Sequence, residues 1–214
     1  MLLRETFAVG PFQCNCTVLA CPATREAVVI DPGGAPDRIE EIVRSEGLTV
    51  RAVLHTHAHL DHVYATRDVV ERCGGTIWLH PDDLPLYRGI RAQAMMFGFA
   101  PRDVLPVDRE LADGMTVPFG ATGALVLHTP GHTPGSVCFE VRDGNRTVVF
   151  SGDTLFAGSI GRTDLPGGDP RKIVESIRTR LYTLDPDALV IPGHGPPTTI
   201  GDEALRNPFV RARP

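Results

Sequence analysis

The stretch LHTHAHLDH, which spans residues 54–62, concentrates side chains that can bind metal ions. Histidine and aspartate are costly to bury without partners, so such a cluster after an apolar strand is unusual for purely structural residues. His57 and His59 lie two residues apart, and in an extended backbone their side chains point the same way. Asp61 and His62 come where a helix should begin, so they project from a different backbone geometry. This arrangement suits two neighbouring metals, and the ligand types fit Zn²⁺ or another borderline divalent ion.

Three further candidate ligands follow apolar strands elsewhere in the chain. His132 lies in TPGHTPGS, Asp153 lies in FSGDTLF, and His194 lies in IPGHGP. Each follows a glycine that lets the backbone turn sharply or approach another segment closely; these are Gly131, Gly152 and Gly193. Because loops at strand ends commonly carry function on a rigid scaffold, we expect these three residues to join the histidine cluster.

In order and spacing, THAHLDH, TPGHTPGS, SGDTLF and IPGHG resemble the motif series of the metallo-β-lactamase superfamily, over nearly the whole chain. The segment FAGSIGRTDLPGGD and the ending ALRNPF resemble the small glyoxalase II-like hydrolases, which are similar to hydroxyacylglutathione hydrolase. The resemblance implies an α/β fold, a four-layered αβ/βα sandwich with the metals at one edge between the two sheets.

The resemblance also implies how the ligands are shared between two metals. It assigns His57, His59 and His132 to the first metal, Asp61, His62 and His194 to the second, and Asp153 to both as a bridge. We expect Zn²⁺, with iron or manganese as alternatives. Two divalent ions roughly 3.5–4 Å apart can share a water and lower its pKa from roughly 15.7 toward about 7, which supplies a hydroxide nucleophile. Asp61 and Asp153 are the expected catalytic carboxylates, and Asp153 would orient the nucleophile.

The reaction that the resemblance implies is hydrolysis of a small-molecule acyl-thioester such as S-D-lactoylglutathione. A thiolate leaving group has a pKa near about 8.5, so it departs with little need for a general acid. Full-length glyoxalase II enzymes have a C-terminal helical domain that grips glutathione, whereas only 20 residues follow His194 here. We therefore expect residues 1–214 to form a single domain without that helical domain, and we expect weak recognition of glutathione.

Other activities on the same fold are alternatives. A persulfide dioxygenase has a similar GRTD-like loop but uses one Fe(II) held by two histidines and one aspartate, which His57, His132 and Asp153 could supply. A lactonase or a β-lactamase would be a hydrolase variant of the same site. An RNA-processing nuclease is disfavoured, because the net charge of −5 and the scattered basic residues argue against a nucleic-acid partner.

Several polar residues outside the ligand set have two interpretations each. His55 is a structural residue or a neighbour of the ligands, and His80 and His128 are expected at the surface or at strand ends. Asp31, in VVIDPGG, caps a turn or orients the histidine loop.

Two other segments are candidates for substrate contact. Arg162 and Asp164, in GRTD, pair with each other or touch the substrate. The segment from Arg88 to Phe99, RGIRAQAMMFGF, packs its apolar residues on the core or lines a substrate groove.

Short apolar runs between Gly- and Pro-rich turns predict many short strands with helices among them, which is typical of layered α/β structure. Strands are predicted at residues 16–20, 27–31, 52–55, 76–79, 124–128, 136–141, 147–151 and 188–191. Helices are predicted at residues 36–46, 62–73 and 169–182, with Gly74 as the cap of the second. After Gly201 we expect one short helix and an irregular tail.

Composition bears on location and partners. Hydrophobic residues make up 42% of the chain, yet no stretch approaches the roughly 20 apolar residues of a membrane span. The N-terminus, MLLRETFAVGPF, lacks a charged start followed by an apolar run, so we expect no signal peptide, no membrane partner and a cytoplasmic location. Five cysteines, an odd number, then favour free thiols over a disulfide framework. The sequence leaves the oligomeric state open.

Overall fold

Two six-stranded β-sheets form the centre of the computed structural model, which describes residues 1–211. The first sheet contains, in spatial order, β1 (Leu3–Val9), β2 (Cys14–Ala20), β3 (Glu26–Ile30), β4 (Thr49–Leu54), β5 (Thr76–Leu79) and β6 (Arg109–Glu110). The later strands are β7 (Thr116–Phe119), β8 (Thr122–His128), β9 (Val137–Asp143), β10 (Arg146–Gly152), β11 (Leu155–Phe156), β12 (Ser159–Ile160), β13 (Leu189–Pro192) and β14 (Thr198–Thr199). The second sheet has the order β14-β13-β10-β9-β8-β7, and β11 pairs with β12 as a separate hairpin.

Short helices connect the strands. They are α1 (Pro36–Ser45), α2 (Leu60–Val63), α3 (Thr66–Cys73), α4 (Leu84–Arg88), α5 (Ile90–Met96), α6 (Pro170–Ser176) and α7 (Ile200–Arg206). A 3₁₀ turn (Pro81–Asp83) precedes α4, and a π-helical segment (Ile177–Leu181) continues α6.

Apolar side chains on both faces of each sheet explain the four layers. On β3, Val28 packs in the core between the sheets, whereas Val29 packs with Ile39 of α1. On β10, Val149 likewise packs outward with Ile173 of α6. Because successive residues of a strand point to opposite faces, each sheet has helices on its outer face and the other sheet on its inner face. This is the αβ/βα sandwich that the resemblance implied.

The carboxyl ends of several strands meet at one edge of the sandwich. β3, β4 and β5 are parallel neighbours, and β10 is parallel to β13. The two sheets are joined at this edge by a hydrogen bond of 2.8 Å from the backbone N–H of Val137 to the carbonyl of Thr56. The segments that follow β4, β8, β10 and β13 therefore begin close together in space.

All eight predicted strands are present, with bounds that differ from the prediction by three residues at most. The sequence patterns missed the two-residue strands β6, β11, β12 and β14. They also missed β1 and β7, which are edge strands of the two sheets. Only two residues of β1 are buried, and β7 contains Pro118, which an edge strand tolerates. Neither strand therefore shows the apolar run of a central strand.

The predicted helix at 62–73 is wrong as one element, because the structure divides it into α2 and α3. The N–H of Ala65 donates to the carbonyl of Pro32 at 3.0 Å, a contact with the loop after β3 that interrupts the helical pattern. Gly74 ends α3 as predicted, with a positive φ of 76°. The predicted helix at 169–182 is α6 plus the π-helical segment, and the side chain of Asp169 caps its start.

The C-terminal helix and the cysteines agree with the prediction. α7 is the short helix expected near Gly201, and the last part of the predicted tail, residues 212–214, lies outside the described residues. All five cysteines carry free thiols, four of them buried. None of the helices within residues 1–211 combines the length and the apolar character needed to cross a lipid bilayer.

Candidate metal centre

The seven predicted ligands come from four segments, each of which follows the end of a strand. The histidine cluster follows β4, and α2 begins inside it, so Asp61 and His62 are helical while His57 and His59 are not. The other three ligands follow β8, β10 and β13. The meeting of these strand ends at one edge brings all seven side chains together.

The first group contains three histidines with converging ring nitrogens. Nε2 of His132 lies 2.8 Å from Nδ1 of His59 and 3.2 Å from Nε2 of His57. The three nitrogens could hold one ion. This is the set that the resemblance assigned to the first metal.

The second group contains Asp61, His62 and His194. Oδ2 of Asp61 lies 3.1 Å from Nε2 of His194 and 3.7 Å from Nε2 of His62. These atoms could hold a second ion. The set is again the one that the resemblance assigned.

The carboxylate of Asp153 lies between the two groups. Its Oδ1 is 3.4 Å from Nε2 of His62 and 3.7 Å from Nε2 of His194. Its Oδ2 is 3.6 Å from Nε2 of His132. Because one oxygen faces each group, Asp153 is placed as a bridging ligand would be.

Hydrogen bonds on the far side of the rings leave lone pairs directed into the cluster. Nδ1 of His132 lies 2.7 Å from the carbonyl of Arg162, and Nδ1 of His194 lies 3.0 Å from the carbonyl of Phe12. A carbonyl only accepts, so each Nδ1 carries the proton and each neutral ring keeps an unprotonated Nε2. Such backbone and carboxylate partners are typical of histidines that bind metals.

Two buried atoms at the centre have no hydrogen-bond partner, namely Nε2 of His62 and Oδ1 of Asp153. A buried polar atom without a partner is costly. A divalent cation beside Asp153 and His62 would satisfy both atoms. The three converging nitrogens of His57, His59 and His132 could hold another ion, so the donor set fits a pair of metal ions.

The two groups of ligands differ in their ionisation before a metal binds. Burial and the neighbouring histidines lower the pKa of His59 to about 4, and the same causes lower that of His57 well below its ordinary value. Burial opposes ionisation of Asp153, but the adjacent His62 outweighs it and lowers the carboxyl pKa. Burial likewise lowers the pKa of His194, but its hydrogen bond to Asp61 outweighs burial and raises it. Metals need neutral histidines and ionised carboxylates, so binding at the second group displaces protons.

Asp31 orients the histidine loop, which is the second of its two predicted roles. Its Oδ1 accepts the backbone N–H of Thr56 at 2.8 Å, and its Oδ2 accepts the Thr56 hydroxyl at 2.6 Å. Oδ2 also lies 3.0 Å from Nδ1 of His62. The Thr56 hydroxyl lies 3.1 Å from Nδ1 of His57. One carboxylate thus supports a ligand of each group.

Asp83 is a supporting residue that the sequence patterns missed. Its buried carboxylate accepts the N–H of Ala58 at 2.9 Å and the N–H of Gly135 at 2.7 Å. It also accepts the hydroxyl of Thr133 at 2.9 Å. Asp83 therefore ties the loop of His57 and His59 to the loop of His132. The sequence around Asp83 shows only two adjacent aspartates after a histidine and a proline. This pattern does not indicate partners so distant in the chain.

Two glycines allow the backbone to pass close to the ligands. A Cβ on Gly193 would lie 2.2 Å from Oδ1 of Asp153, which explains the predicted close approach. A Cβ on Gly33 would lie 1.4 Å from the carbonyl oxygen of Asp61. Gly33 was not among the predicted site residues, although it lies in the PGG turn after β3.

A cavity of about 280 Å³ opens onto the cluster. Its remaining walls are formed by Phe12, Leu60, Gln93, Phe97, Arg162 and Leu165. Arg162 and Asp164 pair through two hydrogen bonds of 2.7 Å, so Arg162 both forms the predicted pair and borders the cavity. The segment from Arg88 to Phe99 also combines its two predicted roles. Ile90 and Ala94 are buried, whereas Gln93 and Phe97 line the cavity.

The other histidines lie outside the cluster. His55 is buried, and its Nε2 lies 3.2 Å from the hydroxyl of Thr66, which fits the structural interpretation. His80 directly follows β5 and His128 is the last residue of β8, which confirms the strand-end alternative for both. His80 is buried rather than at the surface, and its ring stacks on that of His128 with centroids 4.2 Å apart. Asp82 lies beside this pair, and these three residues could also supply donor atoms. Ring lone pairs lie in the ring planes, however, so two parallel stacked rings do not direct them at one ion.

Two named relatives are similar to this chain over nearly its whole length. Hydroxyacylglutathione hydrolase GloC from Haemophilus influenzae is 37% identical over 211 residues, which are 98% of this chain and 98% of that protein. The human mitochondrial persulfide dioxygenase ETHE1 is 30% identical over 218 residues, which are 97% of this chain and 75% of that protein.

Two solved structures are similar along their whole length. BLEG-1 B3 metallo-beta-lactamase has a TM-score of 0.88 and 36% identity, over 97% of this chain and 99% of that one. TTHA1623 in a di-iron-bound form has a TM-score of 0.85 and 44% identity, over 96% of this chain and 100% of that one. The metallo-beta-lactamase superfamily pattern matches residues 9–194. With its αβ/βα sandwich and its ordered motifs, this chain belongs to the metallo-β-lactamase superfamily.

Proposed function

We propose that this protein is a dinuclear metal-dependent hydrolase of acyl-thioesters, a class that includes S-D-lactoylglutathione. The observation that carries the proposal is the position of Asp153, with one oxygen toward each group of three ligand atoms. Seven donors are more than one tetrahedral site uses. The 37% identity to hydroxyacylglutathione hydrolase GloC supports the choice of thioesters.

The metals that we propose are two Zn²⁺ ions, with iron or manganese as alternatives. His57, His59 and His132 would hold the first ion, Asp61, His62 and His194 would hold the second, and Asp153 would touch both. The di-iron form of TTHA1623 supports the iron alternative. When bound, such ions supply Lewis acidity and a water of lowered pKa.

The residues of this chain prepare the site for hydrolysis. Burial alone would raise the pKa of Asp61, but His62 and His194 beside it outweigh burial, and His62 has the same effect on Asp153. Both carboxylates are therefore ionised at neutral pH, and they can orient a water and accept its proton through a hydrogen bond.

The chemistry of the leaving group matches this charge state. Hydrolysis forms a C–O bond to the oxygen of water and breaks the C–S bond, and the products are a carboxylate, a thiol and one proton. A thiolate has a pKa near about 8.5 and leaves with little protonation. Ionised Asp61 and Asp153 hold no proton when the substrate binds, and a thiolate leaving group needs none, so this charge state suits a thioester.

A substrate panel tests this proposal. Protein loaded separately with Zn²⁺, Mn²⁺ and Fe²⁺ is assayed under anaerobic conditions with thioesters, lactones and a β-lactam. We expect thioester hydrolysis to have the highest kcat/KM. Negligible thioester hydrolysis in all three metal forms would contradict the proposal, and a lactone or β-lactam preference would reassign the substrate.

The second candidate is a mononuclear Fe(II) persulfide dioxygenase. The 30% identity to human persulfide dioxygenase ETHE1 favours it, and His57, His132 and Asp153 could form a facial triad. An oxygen electrode distinguishes the two reactions. Under our proposal, the Fe(II)-loaded protein consumes no oxygen with glutathione persulfide, and robust consumption without thioesterase activity would favour the dioxygenase.

We also propose a cytoplasmic location. Support comes from the five free thiols, because reducing compartments keep cysteines unpaired. Fractionation of the producing cell, with detection of this protein by antibody, tests the location.

A further inference from the structure

Three phenylalanines form an aromatic wall beside the candidate metal centre: Phe12, Phe97 and Phe99. The rings of Phe12 and Phe97 meet edge to face with centroids 5.6 Å apart, and those of Phe12 and Phe99 stack at 5.8 Å. Phe12 and Phe97 are nevertheless 44% and 50% exposed. Large apolar side chains left exposed together are often found at binding sites.

Hydrogen bonds connect the segments that carry the aromatic wall to two of the segments that carry ligands. The carbonyl of Phe12 accepts the hydrogen bond from His194 Nδ1 at 3.0 Å. On α5, the side chain of Gln93 accepts the N–H of Leu60 at 3.0 Å, next to Asp61. The aromatic wall is therefore held at a set position relative to the candidate centre, and Phe12 and Phe97 line the same cavity as the ligands.

The rest of the cavity lining offers little to a polar substrate. Among residues 1–211, one arginine, Arg162, and no lysine line this cavity. Its guanidinium is already paired with Asp164 through two hydrogen bonds. Next to it, Leu165 adds a further apolar surface. Glutathione carries two carboxylates and one ammonium group, and apart from the metal ligands the described lining offers its carboxylates only the paired guanidinium of Arg162.

The cavity is also small for a tripeptide. Its volume of about 280 Å³ lies just below the usual range for ligand pockets, which is roughly 300–1,000 Å³. Since Phe12 and Phe97 line the same cavity as the ligands, a substrate whose carbonyl reaches the ligands has its adjacent groups in the space that these rings border. The volume suits one aromatic or branched aliphatic group there.

We propose that the preferred thioester carries an apolar group, aromatic or aliphatic, that rests on Phe12 and Phe97 while its carbonyl lies at the metal centre. This inference rests on the proposed function and narrows its substrate class. Burial of an apolar group on these rings stabilises the bound substrate in proportion to the area removed from water. The side chains of Phe12 and Phe97 are specificity determinants under this proposal.

The test compares three thioesters on the metal-loaded protein. Acetyl-N-acetylcysteamine is the small reference, phenylacetyl-N-acetylcysteamine carries the phenyl group on the acyl side, and S-benzyl thioacetate carries it on the thiol side. We expect at least one phenyl substrate to exceed the reference in kcat/KM by about tenfold, or about 1.4 kcal/mol. The better of the two identifies which side of the thioester rests on the aromatic wall.

Substitutions then test whether the side chains of Phe12 and Phe97 cause the preference for the phenyl substrate. Phe97→Ala and Phe12→Ala, which keeps the backbone carbonyl, should each reduce the phenyl-to-reference ratio of kcat/KM by at least about threefold. Phe97→Leu should recover part of it. Phe209→Ala is the matched control, because Phe209 is a phenylalanine that is 60% exposed and is not part of the cavity lining. A ratio near one for the wild-type protein, or equal ratios in Phe97→Ala and Phe209→Ala, would overturn the proposal.

A binding measurement separates this inference from the proposed function. Calorimetry with phenylacetate and with benzyl mercaptan needs no hydrolysis. Tighter binding of one of them to the wild type than to Phe97→Ala supports the aromatic wall even if no thioester is cleaved, and equal binding overturns it. If the variants instead change the oligomeric mass and leave binding unchanged, these rings contact a second copy of the chain and the proposal is wrong.

Discussion

The carboxylate of Asp83 accepts a hydrogen bond of 2.9 Å from the backbone N–H of Ala58, the residue between His57 and His59. The same carboxylate accepts the N–H of Gly135 in the loop of His132. All three ligands of the first group thus belong to loops that one buried side chain holds. The shape of the first group depends on a residue that would not itself bind metal.

Replacing Asp83 should weaken metal binding. We expect Asp83→Ala to lower the affinity for the first metal by about 10- to 100-fold, the scale for residues that orient ligands. Calorimetric titration with Zn²⁺ measures it, with Asp82→Ala, an exposed neighbour, as the control. Equal affinities in the two variants, with circular dichroism showing both folded, would contradict this role.

Asp153→Ala should lower kcat for thioester hydrolysis by at least about 10²-fold, the scale for loss of a preorganised charge-stabilising group. It should also lower the metal content, because Asp153 faces both groups. Steady-state kinetics and elemental analysis of the same preparation measure both effects. Asp187→Ala provides an exposed control, and near-normal turnover of Asp153→Ala with two metals bound would show that Asp153 is not the bridge.

Metal-saturated protein should contain close to two ions per chain, since Asp153 directs one carboxylate oxygen toward His62 and His194 and the other toward His132. His194→Ala should reduce the content toward one ion, because the first group keeps its three histidines. Elemental analysis after removal of loosely bound metal gives the numbers. The dinuclear arrangement is wrong if the wild type binds one ion and if His62 and His194 can be replaced without loss of activity.

The KM for S-D-lactoylglutathione should be high. The cation beside the cavity, Arg162, is paired with Asp164, so the glutathione carboxylates gain little from it. Loss of such uniform binding raises KM and can leave kcat intact. We expect a KM above about 1 mM, the upper end of the usual range. A low-micromolar KM in steady-state assays would show that this surface does recognise glutathione.

The stability of the metal-free protein should fall as the pH drops below about 6.5, partly through His80. Burial, and then the neighbouring His128, lower the pKa of His80 below its ordinary value of 6.5. The unfolded chain therefore takes up this proton at a higher pH than the folded protein does, and stability decreases as the pH falls through 6.5.

Urea unfolding at pH 7.5 and pH 5.5 measures this effect. His80→Phe keeps a ring that can stack on His128 but cannot titrate, so its unfolding free energy should change less between the two pH values. An equal change in the wild type and in His80→Phe would remove His80 as a source of the pH dependence.

Much of the candidate site was determined by the sequence alone. Each ligand follows an apolar strand and lies in a turn-rich motif, and the strands themselves show as short runs of β-branched and aliphatic residues. The alternation of His57 and His59 and the change to helix at Asp61 are local properties of the backbone. For this reason the seven donors, their order and the layered α/β class could be predicted before the fold was known.

Only the tertiary structure decided which residues support those donors. The partners of Asp83 are 25 and 52 residues away in the chain, and the break at Ala65 comes from a contact with Pro32. Phe12 meets Phe97 across loops that no periodic pattern connects. Periodicity reports which face of one element is apolar. Contacts between distant loops depend instead on how the sheets pack, so folding alone places Asp83 and the aromatic wall beside the ligands.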